Sequence, residues 1–220
     1  RGVGGETVLE LTPGGEAVRP VATEEEKRAA RRTLYLPQAG FGILMVGNDY
    51  RKKGLPTLLQ ALAKLPGTCW LAVVGNPAHI PEFQALAKAE GVDNRVHFLG
   101  ALNDVGPAYL AADCLAHPTF EDTFAMVVLE AMAHGLPVVV SARQYCWISA
   151  LLADCEDALI LQDPLNVTAL QAALTRLAQE PWSRTELEDN GGGVARDLLW
   201  ASQAHLQNEI YESVVCSPKR

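Results

Sequence analysis

A chain of 220 residues with 49% hydrophobic side chains can bury one substantial core, and a formal charge of −8 argues against a nucleic-acid partner, which selects a basic face. No apolar run approaches the eighteen or so residues of a membrane span, and no signal-peptide pattern is visible. Five cysteines, at 69, 114, 146, 155 and 216, fall at irregular spacings with no C-x-x-C pair, which fits reduced cytoplasmic thiols better than a zinc site or a disulfide framework.

In chain order, residues 1–8 are Gly-rich and polar, and the start at Arg1 reads as a fragment from inside a longer protein. From residue 41 short apolar runs alternate with helical periods. Strands are expected at 41–46, 69–75, 95–99, 113–117, 137–141 and 158–161, and helices near 56–64, 81–90, 103–112, 123–134, 145–153 and 167–179. Leu58, Leu59, Leu62 and Leu65 recur at helical spacing, so that helix covers a sheet face. Cys69 and Cys114 lie in apolar strand runs and are expected in the core. The run Asn190-Gly191-Gly192-Gly193 reads as a break before a terminal helix over about 197–215. The pattern is α/β, a Rossmann-like parallel sheet with helices on both faces, which binds ligands outside the carboxyl ends of its strands.

Two loops at those ends carry chemistry. The first, Gly47 to Gly54, holds three consecutive cations, Arg51, Lys52 and Lys53, directly after a buried strand. Fixed cations offset phosphate charge, and glycine lets the backbone approach a ligand. The second runs from His117 through Asp122 and Glu130 to Gly135-Leu136-Pro137-Val138. It reads as a strand end, an acidic turn, a helix with a partner-poor N-terminus suited to an anion, and another strand. Asp122 could also serve as a helix cap. His117 stands nearest the crevice among the histidines, and His134 ends the helix, where a cation suits the dipole.

This second stretch resembles the signature of retaining family 4 glycosyltransferases, whose architecture is the two-domain GT-B fold. Their pattern is Glu-x7-Glu followed by Ala-Met/Leu-Ala-x-Gly-x-Pro-Val. Asp122 takes the first acidic position, in preference to the neighbouring Glu121, and Glu130 takes the second. Asp for Glu is one departure; Ala125, where the family has Gly near the sugar, is another. Lys52 and Lys53 match the cation pair that grips the donor diphosphate, with Arg51 as a spare. The stretches Val46-Gly47-Asn48-Asp49-Tyr50, Val96-His97-Phe98, Asn103-Asp104-Val105 and His117-Pro118 are similar to the bacterial lipopolysaccharide core glucosyltransferases. By the same resemblance Arg19 is expected to match their interdomain donor-binding Arg. Relatives carry an Arg near Leu102 that packs on the base, and Gln144 to Trp147 replaces a Gly-rich sugar loop, so nucleotide and sugar identity stay open.

The resemblance implies an interdomain linker at 1–20, a nucleotide-sugar donor-binding domain at 21–195, and a C-terminal helix and tail at 196–220. The expected ligand is a nucleotide diphosphate sugar, with UDP-glucose favoured and no cofactor or metal. Asp122 and Lys53 would be catalytic. Gly47, Lys52, Lys53, Thr123, Phe124, Ala125, Met126, Glu130 and Arg19 would line the donor site. The N–H groups of Phe124, Ala125 and Met126 would face the diphosphate. The acceptor would be a saccharide or lipopolysaccharide bound by an absent N-terminal domain, so that this chain alone transfers sugar poorly. The expected location is cytoplasmic, extending to peripheral contact with the inner membrane through that domain. Alternatives are a catalytically degenerate nucleotide-sugar-binding module and a sugar-nucleotide epimerase of the same architecture. A nicotinamide-binding domain lacks its G-x-G-x-x-G.

Overall fold

The computed structural model describes residues 18–198. Residues 1–17 of the expected linker and the expected terminal helix and tail beyond 198 lie outside the described residues. The chain enters α1 (Glu24–Thr33) through reciprocal capping. Glu26 N–H donates to Thr23 Oγ1 at 3.3 Å, and Thr23 N–H donates to the Glu26 carboxylate at 2.8 Å. There follow β1 (Phe41–Val46), α2 (Leu55–Lys64), β2 (Cys69–Val74), α3 (Ile80–Ala89), β3 (Val96–Gly100), α4 (Gly106–Ala111), β4 (Cys114–His117), α5 (Met126–Ala133), β5 (Val138–Ser141), β6 (Leu159–Leu161), α6 (Val167–Gln179) and α7 (Pro181–Asp197).

All six strands are parallel, in the order β3-β2-β1-β4-β5-β6. Helices cover both faces, so the central strands are apolar on each side: Leu44, Leu115 and Val140 belong to one core cluster, Ile43, Leu71 and Val139 to the other. Cys69 and Cys114 are buried as expected. The chain reverses its direction of growth between β1 and β4, and a doubly wound sheet binds ligands in the crevice at that switch point. The fold is thus the Rossmann-like α/β arrangement that the strand–helix alternation implies.

At the amino end of the sheet, Asp113 ties α1 to the strands. Its carboxylate accepts from Lys27 Nζ at 2.7 Å, Arg31 Nη2 at 2.7 Å and the Gly42 N–H at 2.6 Å. Arg31 is buried and also donates to Ala111 O at 2.8 Å.

Three expectations need correcting. The Asn190–Gly193 run does not break the chain: α7 continues through it. Gly191 and Gly192 are buried, and a Cβ on Gly191 would stand 3.4 Å from Met132 Cγ of α5, so glycine here permits close helix packing. The segment 145–153 is a short 3₁₀ turn, Trp147–Leu151, because residue 146 bridges to Asp122 instead of entering a helix. The helix expected from 123 starts at Met126. Ala125 sits at φ 56°, ψ 64°, a left-handed conformation that cannot lie inside a right-handed helix.

Candidate active site at the switch point

The turn after β1 is shaped to deliver Lys53. A Cβ on Gly47 would come within 2.7 Å of Lys53 Cγ, so the missing side chain is the space the lysine stem occupies. Gly54 closes the turn at φ +79°, and a Cβ there would lie 2.0 Å from Pro118 O in the loop after β4. The two crevice loops are stitched together: Phe120 N–H donates to Lys52 O at 2.8 Å, and Thr119 Oγ1 donates to the same carbonyl at 3.2 Å.

Lys53 Nζ meets Asp122 Oδ2 at 2.5 Å and Glu121 O at 3.3 Å. Lys52 Nζ meets Glu121 Oε2 at 2.9 Å on the exposed rim. Both acidic neighbours are therefore used, and Asp122 is the one set inward. Arg51 leaves the cluster, pairing with Glu82 of α3 and lying over the Phe83 ring.

Asp122 is held from three directions. Besides Lys53, its Oδ2 lies 3.0 Å from Nε2 of the fully buried His117, and its Oδ1 accepts the Ala125 N–H at 2.9 Å. Burial alone would raise the Asp122 carboxyl; the bonds from His117 and Lys53 outweigh it and hold the group well below the usual carboxylate range. An ionised carboxylate only accepts, so His117 Nε2 carries the proton. Burial pushes the His117 pKa down against the pull of Asp122, keeping the ring neutral. Its Nδ1 has no partner among the described residues. Asp122 thus behaves both as a cap-like acceptor and as an ion-pair partner.

The other face of the acidic turn is braced by the 142–147 loop. Asp122 N–H donates to Tyr145 O at 2.8 Å and Trp147 N–H donates to Asp122 O at 3.3 Å. The Trp147 and Phe124 rings lie 5.8 Å apart at 32°. In the same loop the buried Cys146 thiol is pushed up to about 12, chiefly by burial and then by Asp122.

Glu130 lies in the second turn of α5, one helical segment on from the Asp122 turn. Its Oε2 accepts from the Tyr109 hydroxyl at 2.7 Å. Met126 opens α5, where an N–H has no intrahelical acceptor, whereas the Ala125 N–H is already taken by Asp122. Thr123 is exposed. Arg19 stands apart: its N–H donates to Ala133 O at 2.7 Å, at the far end of α5. The structure therefore gathers Gly47, Lys52, Lys53 and Asp122 with Phe124 and Ala125, places Glu130 along the same helix, and leaves Arg19 outside the cluster. His117 and Tyr109 are additions that depend on tertiary contact. Among the described residues, no group of three His, Cys, Asp or Glu side chains is placed to hold a metal ion, and no helix is long and apolar enough to cross a membrane.

The sequence profile of the family described as "Glycosyl transferases group 1" matches residues 26–193, most of the chain and the whole of this cluster. The chain belongs to that family. The group 1 chain is 35% identical over 181 residues to the lipopolysaccharide glucosyltransferase WaaG of Escherichia coli K12, covering 78% of this chain and 47% of the relative. It is 30% identical over 223 residues to a D-inositol 3-phosphate glycosyltransferase of Corynebacterium kroppenstedtii, covering 96% and 47%. A crystal structure of WaaG superimposes with a TM-score of 0.74 at 27% identity, over 89% of this chain and 54% of that one. The structure of Anabaena HepE in complex with UDP and glucose shares the fold, with a TM-score of 0.76 at 20% identity over 88% and 53% of the two chains. The group 1 chain spans about half the length of the curated relatives it matches.

Proposed function

We propose that this group 1 chain binds the donor for a retaining, metal-independent glycosyl transfer, moving a hexose from a nucleotide diphosphate sugar to a saccharide. UDP-glucose is the favoured donor and a lipopolysaccharide core the favoured acceptor, by similarity to WaaG. The observation that carries the reading is the convergence of Lys52, Lys53 and Asp122, from the loops after β1 and β4, at the switch point of the sheet. HepE, a neighbour in fold, is described with UDP and glucose, which makes UDP-sugars the first ligands to test.

The roles follow from charge. As the bond between the anomeric carbon and the diphosphate oxygen breaks, the electron pair leaves with the phosphate. Lys52, Lys53 and the Met126 N–H would stabilise that charge. The anomeric carbon becomes electron-poor, and the ionised Asp122 would face it. A carboxylate offers about four acceptor positions; with three donors already in place, Asp122 keeps room for one sugar hydroxyl. Its held charge suits an electrostatic role and makes it a poor proton donor. Glu130 would accept from the ribose hydroxyls. We place the reaction in the cytoplasm, with peripheral membrane contact made outside the described residues.

Calorimetric titration with UDP, ADP and GDP, alongside Lys53→Ala and Glu130→Ala, tests the reading. Selective UDP binding weakened by both substitutions is the expected result. A second reading, a degenerate nucleotide-sugar-binding module, is favoured by the left-handed Ala125 and the replaced 144–147 loop. It predicts that this chain, joined to the N-terminal half of a relative and given donor and acceptor, binds the nucleotide sugar without transferring it. Absence of binding to all three nucleotides would sink the donor-site reading.

A further inference from the structure

Glu130 is gripped by a residue that no motif announces. Tyr109 lies on α4, buried to 2% exposure, and its hydroxyl reaches Glu130 Oε2 at 2.7 Å. Burial, reinforced by the Glu130 charge, pushes the phenol pKa up, so the hydroxyl keeps its proton. A hydroxyl has one proton to donate and a carboxylate can only accept, so the bond runs from Tyr109 to Glu130. The Val127 carbonyl, 3.4 Å from the same oxygen, is the weaker contact. The ring is itself fixed: His134 stacks on it at 4.9 Å and 27°, while His134 Nδ1 donates to Glu130 O at 2.8 Å. One residue of α4 and one turn of α5 thus close a cycle around a single carboxylate. The cycle uses Oε2 of the carboxylate.

We infer that Tyr109 is a positioning residue, holding the Glu130 carboxylate so that its other oxygen meets the ribose hydroxyls of the nucleotide. The inference rests on the reading of Glu130 as the ribose acceptor. A carboxylate free to rotate would spend orientational freedom on binding; one pinned through Oε2 has already spent it.

The test is a ligand-by-residue cycle on the 220-residue chain, measuring affinity for UDP and for 2′-deoxy-UDP by calorimetry, with melting temperature as the folding control. The unaltered chain should prefer UDP by about tenfold, the scale of one hydrogen bond to a charged group. Tyr109→Phe, which keeps the ring against His134, should cut that preference to about threefold or less while leaving 2′-deoxy-UDP affinity within about twofold. Glu130→Ala should erase the preference, and adding Tyr109→Phe to it should change UDP affinity no further. If Tyr109→Phe weakens both nucleotides equally, or still weakens UDP in the Glu130→Ala background, Tyr109 is a packing residue and the inference is overturned while the ribose role stands. A preference that survives Glu130→Ala removes the ribose role and the inference together.

Discussion

Two aspartates flank β4, one before it and one after, and they have nearly the same partners. Asp113 takes a lysine, an arginine and a backbone N–H; Asp122 takes a lysine, a histidine and a backbone N–H. Chemical inventory therefore does not separate a staple from a site. Position does. Asp113 faces the amino ends of the strands, and its cations come from α1, which they fasten to the sheet. Asp122 stands at the carboxyl ends, where the chain reverses direction and loops from two strands meet. The cations of both clusters are paired within the protein, but Lys52 and its partner Glu121 stand exposed at the rim, beside the more buried pair of Lys53 and Asp122.

The comparison breaks hardest at Asp113. Asp113→Ala leaves Arg31 and Lys27 without their acceptor, and urea unfolding should register a loss of about 3–5 kcal/mol, with UDP affinity of the folded fraction unchanged. Lys53→Ala should do the reverse. Calorimetric UDP affinity should fall by about thirtyfold, roughly 2 kcal/mol, the scale of a charge-assisted bond, and stability should fall less than for Asp113→Ala. Acid sharpens the contrast further. The Asp122 pKa is depressed in the fold, so its stabilisation is fully present above the unfolded carboxyl value near 4 and is lost as pH falls below it. Unfolding midpoints measured from pH 6 down to pH 3 should drop less steeply in Asp122→Asn than in the unaltered chain. Ala125→Gly should raise stability by about 0.5–1 kcal/mol in thermal melts, because glycine accepts the left-handed conformation that alanine resists. Smallest of all, Glu121→Ala should cost under about 0.5 kcal/mol, since its pair with Lys52 is exposed to water.

What could be read from the residues was whatever depends on local pattern. The strand at 41–46 and the helix at 167–179 have the expected bounds, because one apolar run and one 3.6-residue period decide them. That Lys52, Lys53 and Asp122 lie together was legible because all three sit in loops at strand ends, whereas Glu130, on α5, was singled out by the family pattern. The helix α1 was missed; it is mostly charged, yet Thr23-x-x-Glu26 was a capping signal in plain view. His117 bonding to Asp122, and Tyr109 to Glu130, depend on which strands and helices become neighbours, and no spacing announces that. The left-handed turn at Ala125 had one signal, the glycine that the family pattern carries there, since glycine adopts that conformation freely.

The three glycines of α7 carry a last consequence. Each weakens a helix by about 1 kcal/mol relative to alanine, so α7 persists because Leu187, Gly191, Gly192 and Ala195 are buried against the body of the domain. It is a conditional helix, sitting on Met132 of the same α5 that bears Glu130. Any shift of α5 is felt at once by a segment with almost no intrinsic order to spare. Amide exchange along residues 190–193 should therefore act as a gauge of α5, slowing when a ligand steadies it and quickening when it is loosened.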